Sequence, residues 1–106
     1  VLGDIPLGRI AGPVFAVGAG DDELWTSDVY VGNIRFARRG RDPRDVELIY
    51  PRAGHHVGIV LPNQPELTTT VQSPRYGLLE LGGTPQADEA AREDSWPKLL
   101  RFLARI

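Results

Sequence analysis

Two short apolar runs, separated by a helix-length amphipathic segment, set the tightest limit on what this chain can fold into. Pro13 to Ala19 reads Pro-Val-Phe-Ala-Val-Gly-Ala, and Val46 to Tyr50 reads Val-Glu-Leu-Ile-Tyr. The first is nearly unbroken and bounded by Pro and Gly, the pattern of a strand buried on both faces in a parallel sheet. Pro51 ends the second. Between them Ser27 is the expected N-cap, with Asp28 in the first turn where the helix dipole favours an anion. Val29, Gly32, Asn33 and Phe36 form a helical stripe running to about Arg39, with Gly40 as the stop. Arg41 to Arg44 is a polar loop.

These pieces make one β-α-β unit of an α/β fold. Such crossovers are right-handed in about 98% of cases, so both strands point the same way. Two parallel strands leave both sheet edges open and two faces to cover, and purely parallel sheets are almost always larger. The chain is therefore expected to be incomplete on its own. Its missing strands come from an upstream region, a second chain or a domain swap.

From Val57 to Gln86 the pattern weakens. Pro62, Pro65 and Pro74 punctuate it, Leu67 to Val71 reads as a short extended piece, and Gly82-Gly83 marks a turn. Trp96, Leu99, Leu100 and Leu103 then fall at i, i+3, i+4 and i+7, one face of an amphipathic helix. Pro97 fits only a first turn, so Ser95 is the expected cap, with Ala87 to Asp94 forming a separate helical turn or two.

Composition narrows the function classes. At 42% hydrophobic and 25% charged, the chain falls in the globular class rather than the disordered one. A net charge of −2 gives no footprint for nucleic acid or an anionic membrane surface. There is no cysteine, which excludes thiolate metal sites and a cysteine nucleophile within these 106 residues. No stretch approaches the roughly 20 apolar residues of a membrane span, and no signal peptide opens the chain. A soluble, cytoplasmic protein is the expectation.

The chemistry lies just past the two strands. Gly20-Asp21-Asp22-Glu23-Leu24-Trp25 follows the first, and Ala53-Gly54-His55 follows the second. Parallel strands put both segments on the carboxyl rim of the sheet, where open α/β sheets place their ligands. An acid followed by a histidine is the back two-thirds of a Ser/Cys-His-Asp triad, in the α/β-hydrolase order of nucleophile, acid, histidine. Asp22 is the candidate acid and His55 the candidate base. Asp21 is assigned to the turn, through side-chain to backbone hydrogen bonds. His56 is expected to face solvent or pack.

Each half has a plainer reading. An Asp-Asp pair after a strand is often turn chemistry, and a histidine beside glycine is often a surface residue. Their joint occurrence in order, each after a strand, favours the triad-derived pair. A metal held by Asp22, His55 and His56 is disfavoured, because adjacent histidines converge poorly on one ion. No cofactor is expected. The arginines at 35, 38, 39, 41 and 44 could bind the phosphates of a large anionic ligand, but interspersed with Asp42 and Asp45 they read as a solvated face. Trp25 and Tyr30 read as core rather than pocket lining. Ser27, Ser73 and Ser95 are the only serines, and none sits in a Gly-x-Ser-x-Gly elbow.

Ile10 to Gly18, Gly20 to Trp25 and Ile49 to His55 together resemble the C-terminal region of the acyl-CoA thioesterase and bile acid-CoA:amino acid N-acyltransferase family. Leu81-Gly82-Gly83-Thr84-Pro85-Gln86-Ala87 and Asp94-Ser95-Trp96 through Leu103 extend the likeness over most of the chain. The tail is the more discriminating part, because dienelactone hydrolases and prolyl-oligopeptidase-like peptidases share the Asp-to-His half. The resemblance implies an α/β-hydrolase fold with a Ser or Cys nucleophile upstream, Asp22 and His55 matching the family's acid and base. It implies attack on an acyl-CoA thioester, then hydrolysis or transfer to an amine. Leu81 stands where the family has Trp, and Val57-Gly58-Ile59-Val60-Leu61-Pro62 departs from the family's Pro-rich stretch. The chain alone is expected to be inactive. Other α/β-hydrolase substrates (esters or peptides) and a non-catalytic module that completes its sheet with a partner are the rival readings.

Overall fold

In the computed structural model, which describes residues 5–57 and 69–106, β1 (Phe15–Ala19) and β2 (Val46–Tyr50) lie side by side and parallel. Phe15 is opposite Val46 and Ala19 opposite Tyr50, so the two strands end level. The helix α1 (Ser27–Arg38) connects them. The expected β-α-β unit is present, and among the described residues β1 and β2 pair only with each other.

Helix α1 is rotated from the expected stripe. Val29 and Phe36 are 53% and 66% exposed, while Val31 and Arg38 are buried. The sheet-facing residues are Ser27, Val31, Ile34 and Arg38, at i, i+4, i+7 and i+11. Ser27 explains the rotation. It is the first helical residue rather than the cap, and its hydroxyl accepts from the Ala19 amide at 2.9 Å and lies 3.4 Å from the Ala19 carbonyl. Thr26 holds the cap position without a side-chain capping bond. A hydroxyl that could have closed the helix instead ties it to the end of β1.

The arginines divide in a way that the solvated-face reading misses. Arg38 is 1% exposed. Its guanidinium donates to both Asp45 oxygens at 2.8 and 3.0 Å. It also donates to the carbonyls of Leu7, Ile10 and Gly12 at 2.7, 3.2 and 2.8 Å. Asp45 in turn accepts from the Val14 amide at 2.9 Å. This cluster anchors the lead-in segment, with its 3-10 turn at Leu7–Arg9, beneath the amino ends of both strands. Arg35, Arg39 and Arg41 are exposed as expected, and Arg44 pairs with Asp42 at 2.8 Å.

An antiparallel hairpin, β3 (Thr70–Ser73) and β4 (Gly77–Glu80), follows and was not expected. Its strands are four residues each, too short for an alternating pattern to stand out. The turn signal was present: the Ser73 hydroxyl accepts from the Arg75 and Tyr76 amides, and Gly77 takes a positive φ of 76°. Of the extended piece read at Leu67 to Val71, positions 67 and 68 lie outside the described residues, as do Pro62 and Pro65.

The terminal helix α2 (Pro85–Ala104) is one continuous element rather than two. Thr84, not Ser95, caps it by accepting from the Ala87 amide at 3.0 Å, and Pro85 occupies the first helical position. Pro97 sits in the interior, where it removes the hydrogen bond to the Glu93 carbonyl. Both residues are exposed, so water can satisfy that carbonyl. The packed face is Ala91, Ser95 and Phe102, with the Phe102 ring 5.5 Å from that of Phe15. Leu100 and Leu103 of the expected stripe are about half exposed, at 49% and 50%. Small residues let α2 approach the sheet, and the central core is correspondingly small: Ala19, Ala53, Val57 and Ala91, flanked by Val17 and Tyr50. No helix among the described residues is long and apolar enough to cross a membrane.

Candidate active site

The two strands end level, and the turns leaving them are joined immediately. Gly20 donates to the Tyr50 carbonyl at 2.9 Å and Asp21 to the Ala53 carbonyl at 3.0 Å. Past this junction Asp22 folds its carboxylate back onto its own turn. Oδ1 accepts from the Leu24 and Trp25 amides at 2.9 and 3.1 Å, the geometry of an Asx turn. That leaves Oδ2 aimed at the second turn, where it lies 3.1 Å from Nδ1 of His55. The structure therefore brings the two nominated residues into contact.

The Asp22 side chain is 1% exposed and that of His55 19%. Burial pushes the Asp22 carboxyl up, but the nearby Ser27 hydroxyl, the Trp25 amide, His55 and the Leu24 amide outweigh it. Its pKa lies below the ordinary value. An ionised carboxylate only accepts, so the contact requires a proton on Nδ1 of the imidazole. In neutral His55 the Nε2 lone pair is then free, and no described residue occupies it. The Trp25 ring stands edge-on to the imidazole at 4.5 Å and 87°. Trp25 and Tyr30 are 53% and 55% exposed, so neither is core as expected.

The turn carrying His55 is held by a third segment, Leu81-Gly82-Gly83, between the hairpin and α2. The Leu81 carbonyl accepts from the His55 amide at 2.8 Å and the Glu23 amide at 3.3 Å. Asp21 accepts from the Gly83 amide at 2.8 Å, which fits the turn role assigned to it, though the turn it braces is 62 positions away. Asp22 and Gly82 form an isolated bridge. Glycine is required at this crossing. A side chain on Gly54 would meet the Gly82 carbonyl, and one on Gly82, whose φ is +78°, would meet the Asp21 carbonyl. The anchor from Leu81 is its backbone carbonyl, so the bond does not depend on which side chain stands at that position.

Asp88, in the first turns of α2, accepts from the Gly54 amide at 2.7 Å and is 1% exposed. Burial raises its carboxyl pKa above the ordinary value. The sequence reading missed Asp88, because an acid in the opening turns of a helix usually answers the helix dipole. Gly82-Gly83 turns the chain as expected, with both residues at positive φ, and the same two glycines also allow the close backbone approach.

Other candidates are placed elsewhere. The His56 ring is 6.2 Å from that of His55 and partly buried. Ser27 is tied to Ala19, Ser73 braces the hairpin turn, and Ser95 lies buried 3.4 Å from the Arg92 carbonyl. No three His, Cys, Asp or Glu side chains among the described residues are grouped to hold a metal ion. Of Val57 to Pro62, only Val57 is described, and it packs in the core. Among the described residues, grooves also lie away from the imidazole. One of about 470 Å³ runs between β2 and the end of α2, and one of about 400 Å³ lies between Tyr50–Ala53 and α2.

A parallel β-α-β unit followed by a hairpin and a long helix is consistent with the C-terminal part of an α/β-hydrolase. The particular family follows from comparison: residues 3–106 match the family described as BAAT / acyl-CoA thioester hydrolase C terminal, and the chain belongs to it. Mouse acyl-coenzyme A thioesterase 6 is 34% identical over 104 residues. Mouse peroxisomal succinyl-coenzyme A thioesterase is 28% identical over 103. Each alignment covers 95% of this chain and 24% of the relative, so the chain spans about a quarter of those proteins.

Proposed function

We propose that this chain supplies the acid and the base of an acyl-CoA thioester hydrolase or acyltransferase centre. The nucleophile, a Ser or Cys, comes from outside these 106 residues. The observation that carries the reading is the contact of 3.1 Å between Asp22 Oδ2 and His55 Nδ1. Family membership supports an acyl-CoA thioester as the substrate class. Asp22 holds the imidazole in the tautomer whose Nε2 accepts a proton, and stabilises the imidazolium that forms.

The chemistry then runs in two displacements. Nε2 of His55 takes the proton of the nucleophile as it attacks the thioester carbonyl. The C–S bond breaks, CoA leaves as the thiol with the proton returned by His55, and an acyl-enzyme remains. A water or amine, deprotonated by His55, attacks the acyl-enzyme and regenerates the nucleophile. The outer edge of β1 is the natural place for a further strand, from an upstream region or another chain. A cytoplasmic setting is our expectation, which fractionation tests; the name of one relative places that protein in the peroxisome.

The test is turnover of an acyl-CoA panel by the intact protein and its Asp22→Asn and His55→Ala variants. Each substitution is expected to lower kcat by roughly a thousandfold or more. Turnover at the unmodified rate in both variants would eliminate the assignment. A CoA ester panel set against simple esters and peptides decides between this reading and another α/β-hydrolase activity.

A further inference from the structure

The proposed reaction gives no task to Asp88, although a carboxylate this deeply buried is unfavourable unless its bonds compensate. Its location suggests the task. Gly54 immediately precedes His55, and four hydrogen bonds fix the two peptide planes that flank it. The Ala53 carbonyl accepts from Asp21 at 3.0 Å and the Gly54 carbonyl from Val57 at 3.2 Å. The His55 amide donates to the Leu81 carbonyl at 2.8 Å, and the Gly54 amide donates to Asp88 Oδ1 at 2.7 Å. Three of the four are backbone to backbone. Only the fourth, which is also the shortest, depends on a side chain.

Without that bond, the plane between Ala53 and Gly54 keeps one anchor and can tilt about it. Gly54 has no Cβ to resist the tilt. The imidazole that follows would then swing relative to Asp22, whose own carboxylate is held by the Leu24 and Trp25 amides and cannot follow. We propose that Asp88 is a positioning residue for His55, acting through the Gly54 amide to keep Nδ1 of the imidazole on Asp22. The inference rests on the reading of Asp22 and His55 as catalytic, and it assigns to the first turns of α2 a part in setting the geometry of the base. The required property is an acceptor at the Oδ1 position, not a charge.

Nitrogen-15 NMR of the His55 imidazole in the intact protein, assigned with a His56→Gln reference, tests this without turnover. Wild type and Asp88→Asn, which keeps the acceptor, should both show one tautomer with the proton on Nδ1. Asp88→Ala should show mixed tautomers and a faster-exchanging Nδ1 proton. In the acyl-CoA assay Asp88→Ala should lose roughly ten- to a hundredfold in kcat at unchanged KM, with Asp88→Asn close to wild type. A folded Asp88→Ala protein with a wild-type imidazole signal overturns the proposal. So does a folded Asp88→Asn protein with scrambled tautomers, and that arm decides alone if Asp88→Ala does not fold. If instead His55→Ala and Asp22→Asn retain full turnover, the catalytic reading fails while the imidazole spectra still report on Asp88.

Discussion

The two ends of the β-α-β unit each carry an acid paired with a basic side chain, and they are built in opposite ways. At the amino ends of the strands, Arg38 and Asp45 are sealed. The guanidinium makes five hydrogen bonds, and Asp45 is held below its ordinary pKa, mainly by Arg38. At the carboxyl ends, Asp22 is equally buried, but its partner His55 is partly exposed and spends only one ring nitrogen on it. The first pair consumes its bonding capacity in holding the chain together. The second leaves Nε2 without a partner among the described residues, which is what the proposed proton transfer requires. Under the proposed function, the contrast separates a structural ion pair from a carboxylate–imidazole contact open to proton transfer, since both look alike as acid-base pairs in the sequence.

The largest effect that could break the comparison is on activity. His55→Ala should abolish most turnover while leaving the melting temperature almost unchanged, because the ring contributes one tertiary hydrogen bond at a partly open site. Arg38→Met should do the reverse, lowering the melting temperature by on the order of 10 °C or more by calorimetry, with turnover per folded molecule preserved. If Arg38→Met were to lower kcat as strongly as His55→Ala, the two ends would not be independent.

Acid titration sharpens the same contrast. Asp22, Asp45 and Asp94 are all held below their ordinary values, and Asp42 falls to about 2 against Arg44. Each binds its proton less tightly folded than unfolded, where the value is about 3.9. Their stabilisation is therefore fully present above about pH 4 and is lost as pH falls through the folded values. Asp88, shifted upward, acts in the opposite sense, favouring the fold when protonated. Melting temperature should drop between about pH 4 and 2. Arg38→Met should flatten that drop more than His55→Ala, because Arg38 is the main cause of the Asp45 shift whereas His55 is one of several groups holding Asp22 down. The smallest effect expected is at Trp25. Replacing it with Ala removes the edge-on contact with the imidazole and should lower kcat/KM by roughly two- to tenfold, with little change in stability for a residue already half exposed.

Much of the site was legible because its signals are local. Gly-Asp-Asp after one apolar run and Ala-Gly-His after the next are turn chemistry at strand ends, and parallel pairing puts both on one rim. The strand Val46–Tyr50 and the stop at Gly40 were likewise written in adjacent residues. Asp88 was not legible. Its role is set by a glycine amide 34 positions earlier, and no periodicity in Ala87 to Asp94 reports that.

The chain's own order of residues determined the β-α-β unit, the rim that holds Asp22 and His55, and the family to which they belong. It could do so because strand burial, turn residues and helix stops act over a few positions. Only the tertiary structure decided which face α1 buries, that Arg38 is sealed rather than solvated, and that α2 begins at Pro85 and runs through Pro97. Those outcomes depend on what approaches from far along the chain. The Ser27 hydroxyl reaches Ala19, three lead-in carbonyls reach Arg38, and the Leu81 carbonyl with the Asp88 carboxylate reaches the histidine turn.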